Sequence, residues 1–132
     1  MAASEALICT QGNIPTRLRD ILAAHGAISP EKLCEAARAG DAAALRVTDR
    51  VATELGRIMA IMTDILNPEV FVLGTIGTAY PDLLIPGAER VLREIAIEPA
   101  AAIVRVLPSA LTHRGDQQAL AVAHFTFSID AK

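Results

Sequence analysis

The stretch from Asp41 to Asn67 constrains this chain most, because it holds no proline and its apolar residues keep a helical rhythm. Val51, Leu55, Ile58, Met62 and Ile65 advance by 4, 3, 4 and 3 residues, the spacing of one helix face. Asp41 has the chemistry of an N-cap, and Asn67-Pro68 that of a stop. The expectation is a helix from Ala42 to about Leu66, central to the fold, with those five residues as its buried stripe. Met59, Ile61 and Leu66 widen the stripe until the last turns are apolar nearly all round.

Shorter helices should precede it. Pro15 to about Ala24 places Leu18, Ile21 and Leu22 on one face, with Gly26 just beyond the end. Ser29-Pro30-Glu31-Lys32 joins a capping serine to a proline at the first helical position, and Gly40 stops the helix that follows. After the long helix, Val70-Phe71-Val72-Leu73 is continuously apolar, as in a parallel strand covered on both faces. Gly74-Thr75-Ile76-Gly77-Thr78 reads as a flexible turn with Gly74 at positive φ. A helix from Pro81 or Asp82 to Ile95 follows, with Pro86 expected in its first turn. A second strand over Ile103–Leu107 and a last helix from Gly115 or Asp116 complete an α/β sheet with right-handed crossovers. Two strands make a poor sheet by themselves, so the chain reads as part of a larger fold.

Twelve basic residues stand against fifteen acidic ones, for a net charge of −3. No basic stripe interrupts this balance, so contact with nucleic acid by this segment is not expected. Cys9 and Cys34 lack metal-ligand or CxxC spacing and read as reduced, buried thiols. The longest apolar run, Ala119–Ile129, has 11 residues and carries His124, too short for a membrane span. The N-terminus has no signal-peptide pattern, and the expected location is the cytoplasm.

Local chemistry names no enzyme. His25 sits at a helix end, where an imidazolium suits the helix dipole, and His124 reads as a core histidine. His113 lies in a turn after a strand, a position where open α/β sheets bind ligands. Gly74-Thr75-Ile76-Gly77 after a strand could cradle a phosphate, but it is neither GxGxxG nor GxxxxGK[ST]. Asp41, Asp49, Glu54, Asp64 and Glu69 do not have the spacing of a metal cluster, and no metal site is expected.

Read in order, several pieces resemble the C-terminal part of the ROK family, which holds sugar-responsive transcriptional repressors and sugar kinases on an actin-like, two-lobed ATPase fold. The pieces are Ala36-Ala37-Arg38-Ala39-Gly40-Asp41, Ala43-Ala44, Leu55-Gly56, Ile65-Leu66-Asn67-Pro68-Glu69-Val70, Val72-Leu73-Gly74, Leu84-Ile85-Pro86 and Ser109. The resemblance implies a helix-rich α/β fold, the C-terminal portion of an actin-like, ribonuclease H-like lobe with few strands of its own. It implies one partial domain over residues 1–132, with helices in 1–40 and a long helix plus β-α-β-α in 41–132. The family's phosphate loops, catalytic Asp, Glu-x-Gly-His motif and zinc-binding cysteine motif are absent from this sequence. On its own Glu5 reads as an exposed N-terminal residue; by resemblance it would align with the last Glu of the zinc motif and touch sugar. Gly74 and Thr75 would flank the adenosine of a kinase.

Two departures weigh against ATP chemistry. Family kinases carry Gly-Gly where this chain has Gly74-Thr75, and glycines before the last helix where it has Leu111-Thr112 and Gln118-Ala119-Leu120. The resemblance therefore implies a non-catalytic sensor and oligomerisation portion of a sugar-responsive regulator, without catalytic residues or a cofactor. The alternatives are the matching portion of an ATP-dependent sugar kinase, or a truncated, self-associating remnant. ATP and Mg would enter only with a full-length kinase parent, and a sugar ligand only with a full-length parent of either kind. A homo-oligomer is the expected state.

Overall fold

The computed structural model describes Gly12 and residues 15–111. Helix α1 (Arg17–His25) is capped by Thr16, whose hydroxyl accepts from the Leu18 amide, and ends at Gly26 with φ 69°. Helix α2 (Pro30–Arg38) starts at Ser29, which accepts from the Lys32 amide at 3.3 Å. Helix α3 (Ala42–Leu66) is 25 residues long and closes at Asn67, left-handed with φ 47°. Strand β1 (Val70–Leu73) leads through a single helical turn, α4 (Ile76–Ala79), into α5 (Pro81–Ile95). A second short turn, α6 (Ala100–Ile103), precedes strand β2 (Arg105–Pro108). The strands pair in parallel, Val70 opposite Arg105 through Leu73 opposite Pro108.

Ser29 and Asp41 cap their helices as the sequence reading expects, and helix, strand, helix, strand follow in the expected order from α3 to β2, with two added helical turns; Thr16 is a cap that the reading did not name, and four details correct it. First, the α3 stripe of Val51, Leu55, Ile58, Met62 and Ile65 is not the buried face. Ile58 is 56 % and Ile65 72 % exposed, while Ala52, Gly56, Met59, Ala60 and Thr63 are buried. The reason is the approach of α5. A Cβ on Gly56 would stand 2.5 Å from the Ala88 carbonyl oxygen and 2.8 Å from Val91 Cβ. Only small residues fit so near a second backbone, so the helix turns that side inward.

Second, β1 is not covered on both faces: Val70 and Val72 are exposed, whereas Phe71 and Leu73 pack with Val106 against the core. Third, Pro86 lies inside α5 rather than in its first turn, because Pro81 already starts the helix. It removes a donor from the Asp82 carbonyl, and both residues are exposed, so water can replace it. Fourth, residues 76–79 are helical rather than a flexible turn, and Ile103 closes α6 rather than opening β2.

Two apolar clusters hold the elements. Leu18, Leu33, Ala36, Ala37, Ala43, Ala44 and Val47 join α1 and α2 to the start of α3. Met59, Ala60, Ala88, Leu92, Val104 and Val106 join the end of α3 and α5 to the sheet. The helical pair and the sheet therefore sit at opposite ends of α3.

Candidate functional site

The carboxyl ends of parallel strands are where α/β folds place ligands, and there β1 exits through Gly74 and Thr75. The last carbonyl of β1, on Leu73, receives the Ser109 amide at 2.8 Å and the Thr78 hydroxyl at 3.0 Å. These two bonds bring the ends of both strands and the start of α4 together. The Ser109 hydroxyl then accepts from the Leu111 amide at 3.2 Å, holding the turn after β2. Gly74, Thr75 and Ser109, distant in sequence, thus share one edge.

The backbone here differs from expectation. The positive φ falls on Thr75, at φ 51° and ψ −115°, and Gly74 keeps an ordinary φ. The chain reverses one residue later than expected, because the Thr75 carbonyl must accept from the Thr78 amide at 3.1 Å and the Ala79 amide at 3.3 Å. A β-branched residue in that region is strained, at a cost of order 1–3 kcal/mol. Nothing lies within 4 Å of a Cβ built on Gly74, so the space above it is open, and both residues are exposed. Gly74 leaves room at the strand exit, while Thr75 adds an exposed β-branched side chain beside it. Among the described residues, no three His, Cys, Asp or Glu gather to hold a metal ion.

A second cluster, missed in the sequence, lies at the junction of α4 and α5. The Arg38 guanidinium lies over the Tyr80 ring, 4.5 Å from its centre, and pairs with the Asp82 carboxylate. It also donates to the Ala79 carbonyl at 3.2 Å. Arg38 thereby ties α2 to the junction of α4 and α5. The hydrogen bond from Arg38 holds the Asp82 carboxyl below its ordinary range. The partners lie more than 40 residues apart, so no local pattern announces them.

The other notable cluster is structural. Burial would raise the Asp41 carboxyl, but amides of Ala44, Arg17 and Ala43 and the Thr16 hydroxyl donate to it and carry it below the ordinary value. The Arg17 bond is 2.7 Å and the bonds from Ala43 and Ala44 are 3.0 Å. One carboxylate thus caps α3 and anchors the start of α1. It borders an open cleft of about 450 Å³ lined by Pro15, Thr16, Arg17, Arg19 and Asp20. Asp64 accepts from the Ile97 amide at 2.9 Å, and Glu54 pairs with Arg50 and Arg57, so these acids have structural roles. Cys34 is a buried free thiol, pushed up by burial. Glu5, Cys9, His113, His124, the helix expected from Gly115 or Asp116, and the Ala119–Ile129 run lie outside the described residues.

An α/β unit of two parallel strands beneath a long helix, with a ligand-type edge at Gly74, defines a class that comparison makes specific. Residues 3–124 match the profile of the ROK family, and the chain belongs to that family. It is 28 % identical over 92 residues to the DNA-binding transcriptional repressor Mlc of Escherichia coli K12, covering 69 % of this chain and 23 % of the repressor. Among solved structures, a ROK family transcriptional regulator homologous to Mlc superposes with a TM-score of 0.74 at 25 % identity, covering 86 % of this chain and 28 % of that one. A protein assigned as a sugar kinase from Cytophaga hutchinsonii shares the fold, with a TM-score of 0.62 at 20 % identity, over 70 % of this chain and 31 % of its own. The chain spans less than a third of the length of each of these relatives. No helix among the described residues is long and apolar enough to cross a membrane.

Proposed function

We propose that this chain is the non-catalytic, sensing portion of a ROK-type, sugar-responsive transcriptional regulator. Thr75 carries the reading: a β-branched residue at φ 51° occupies the strand exit where the family's kinases are expected to have a second glycine. The likeness to the Mlc repressor supports the same branch. In this reading DNA is bound, and sugar mainly held, by parts of the polypeptide other than the described residues. This segment supplies the long helix, two strands and the Gly74–Ser109 edge that responds to them. No cofactor is assigned to it, and its setting is the cytoplasm.

The kinase reading is kept on one observation, the open space above Gly74 that would accept a base. In that case ATP and Mg would belong to the whole enzyme, with Gly74 and Thr75 beside the adenosine. The discriminating experiment uses the full-length polypeptide carrying this segment. The regulator reading expects operator binding that a sugar relieves, with no sugar-dependent ADP release from ATP. Phosphorylated hexose or amino sugar in that assay would overturn it.

A further inference from the structure

Helix α4 is a single turn of 4 residues, too short to hold its own backbone bonds in water. It begins on Thr75, whose φ of 51° a β-branched residue resists. Contacts from outside the turn must therefore keep it closed. The Thr78 hydroxyl fastens its middle to the Leu73 carbonyl, within the same stretch of chain. Its last residue is fastened from another helix. The Ala79 amide donates to the Thr75 carbonyl at 3.3 Å, and the Ala79 carbonyl accepts from the Arg38 guanidinium at 3.2 Å. A single residue, Ala79, thus links Arg38, at the end of α2, to the carbonyl of the strained Thr75.

The guanidinium is oriented for this bond. Its Nε donates to Asp82 Oδ2 at 3.0 Å, a second nitrogen pairs with Oδ1, and its central carbon lies 4.5 Å from the centre of the Tyr80 ring. Fork and ring together fix an arginine in a way that a lysine ammonium cannot copy. Tyr80 is itself buried, and Leu83 packs against the first apolar cluster, so the start of α5 keeps its place without Arg38. What Arg38 adds is a hold on α4.

We propose that Arg38 is a positioning residue that keeps the Thr75 turn in its strained, positive-φ form, and so couples the helical pair α1–α2 to the strand exit at Gly74. Asp41 follows Arg38 closely in sequence and anchors the start of α1 through the Arg17 amide. A shift of either helix therefore reaches Thr75 through the Arg38 bonds, a physical link between two parts of the fold. The inference concerns the turn and not its ligand. It holds for a regulator or a kinase alike, so its failure would leave the functional reading untouched.

Hydrogen exchange of the full-length polypeptide, read at the amides of Gly77, Thr78, Ala79 and Tyr80 that close the turn, tests it. Arg38→Ala should speed their exchange by about tenfold, and Asp82→Asn or Arg38→Lys by about threefold, with the second half of α5 unchanged. In a Thr75→Gly background there is no strain to hold, and Arg38→Ala should then change the same amides by less than about twofold. Arg90→Ala, which removes an exposed ion pair of α5, is the control and should leave the turn as it was. An arginine that only adds stability would speed exchange by the same factor in both backgrounds, and that result overturns the proposal. Unchanged rates in Arg38→Ala, or an acceleration spread evenly over α1–α3, overturn it as well.

Discussion

Replacing Gly56 with alanine tests the packing that organises the fold. The added methyl would sit 2.5 Å from the Ala88 carbonyl oxygen, 2.8 Å from Val91 Cβ and 3.1 Å from Ala88 Cα. The first distance is about an ångström short of ordinary contact. The obstructing atoms are mainly backbone, so no side-chain rotation relieves them, and α3 and α5 must part. Overpacking of this kind costs about 1–3 kcal/mol. Against it stands the helix preference of alanine over glycine, about 1 kcal/mol. The clash prevails at its upper range, and the net expectation is a loss of about 2 kcal/mol, roughly 7 °C in Tm. Urea unfolding followed at fixed protein concentration should show a lower midpoint at unchanged slope. Gly74→Ala, with open space around the new Cβ, should stay within about 0.5 kcal/mol of the parent. A Gly56→Ala protein more stable than the parent would show that propensity governs, and would refute the close α3–α5 contact.

Further expectations follow from single residues. Asp41→Ala should cost about 2–3 kcal/mol, since it orphans the Arg17, Ala43 and Ala44 amides and frees both helix starts. Because the folded Asp41 carboxyl lies below its unfolded value of 3.8, its contribution is present above that pH and lost as pH falls through the folded value. Asp41→Asn should therefore flatten the acid limb of a stability–pH curve, and an unchanged limb would count against the cap. Thr75→Gly should stabilise by about 1 kcal/mol in urea, the relief of strain outweighing the glycine's chain entropy; destabilisation would mean that the Thr75 side chain makes a contact worth more than its strain. In a Cys9→Ser background, Cys34 should resist thiol reagents at neutral pH until the chain unfolds, because the thiol is buried and pushed up. Prompt labelling would contradict its placement.

Local chemistry was legible in the sequence where one residue decides the outcome. Ser-Pro and Asp-Ala starts carry their capping oxygen beside the amides they serve, so those helix boundaries were readable to within a residue or two, whereas the Thr16 cap of α1 was not named. Which side of α3 faces inward was not, because large apolar residues dominate a periodicity and the decisive contact is made by small ones. Ala52, Gly56 and Ala60 are silent until Ala88 and Val91 are seen against them. Gly74 was correctly placed at the strand exit, but the positive φ moved to Thr75, since the reversal depends on which carbonyl the Thr78 and Ala79 amides reach. Ser109 entered through resemblance alone, and its convergence with Gly74 is a consequence of parallel pairing. The Arg38–Tyr80–Asp82 cluster spans two helices and carried no sequence signal.

The central proposal, that the Gly74–Ser109 edge belongs to a regulator and is not a nucleotide site, is tested most directly by amide chemical shifts of this segment, labelled within the full-length polypeptide, during titration with Mg-ATP. The account predicts no saturable shift at Gly74, Thr75 or Ile76 of the full-length polypeptide at millimolar nucleotide. Saturable shifts centred on those three amides would contradict it and return the chain to the kinase branch of its family.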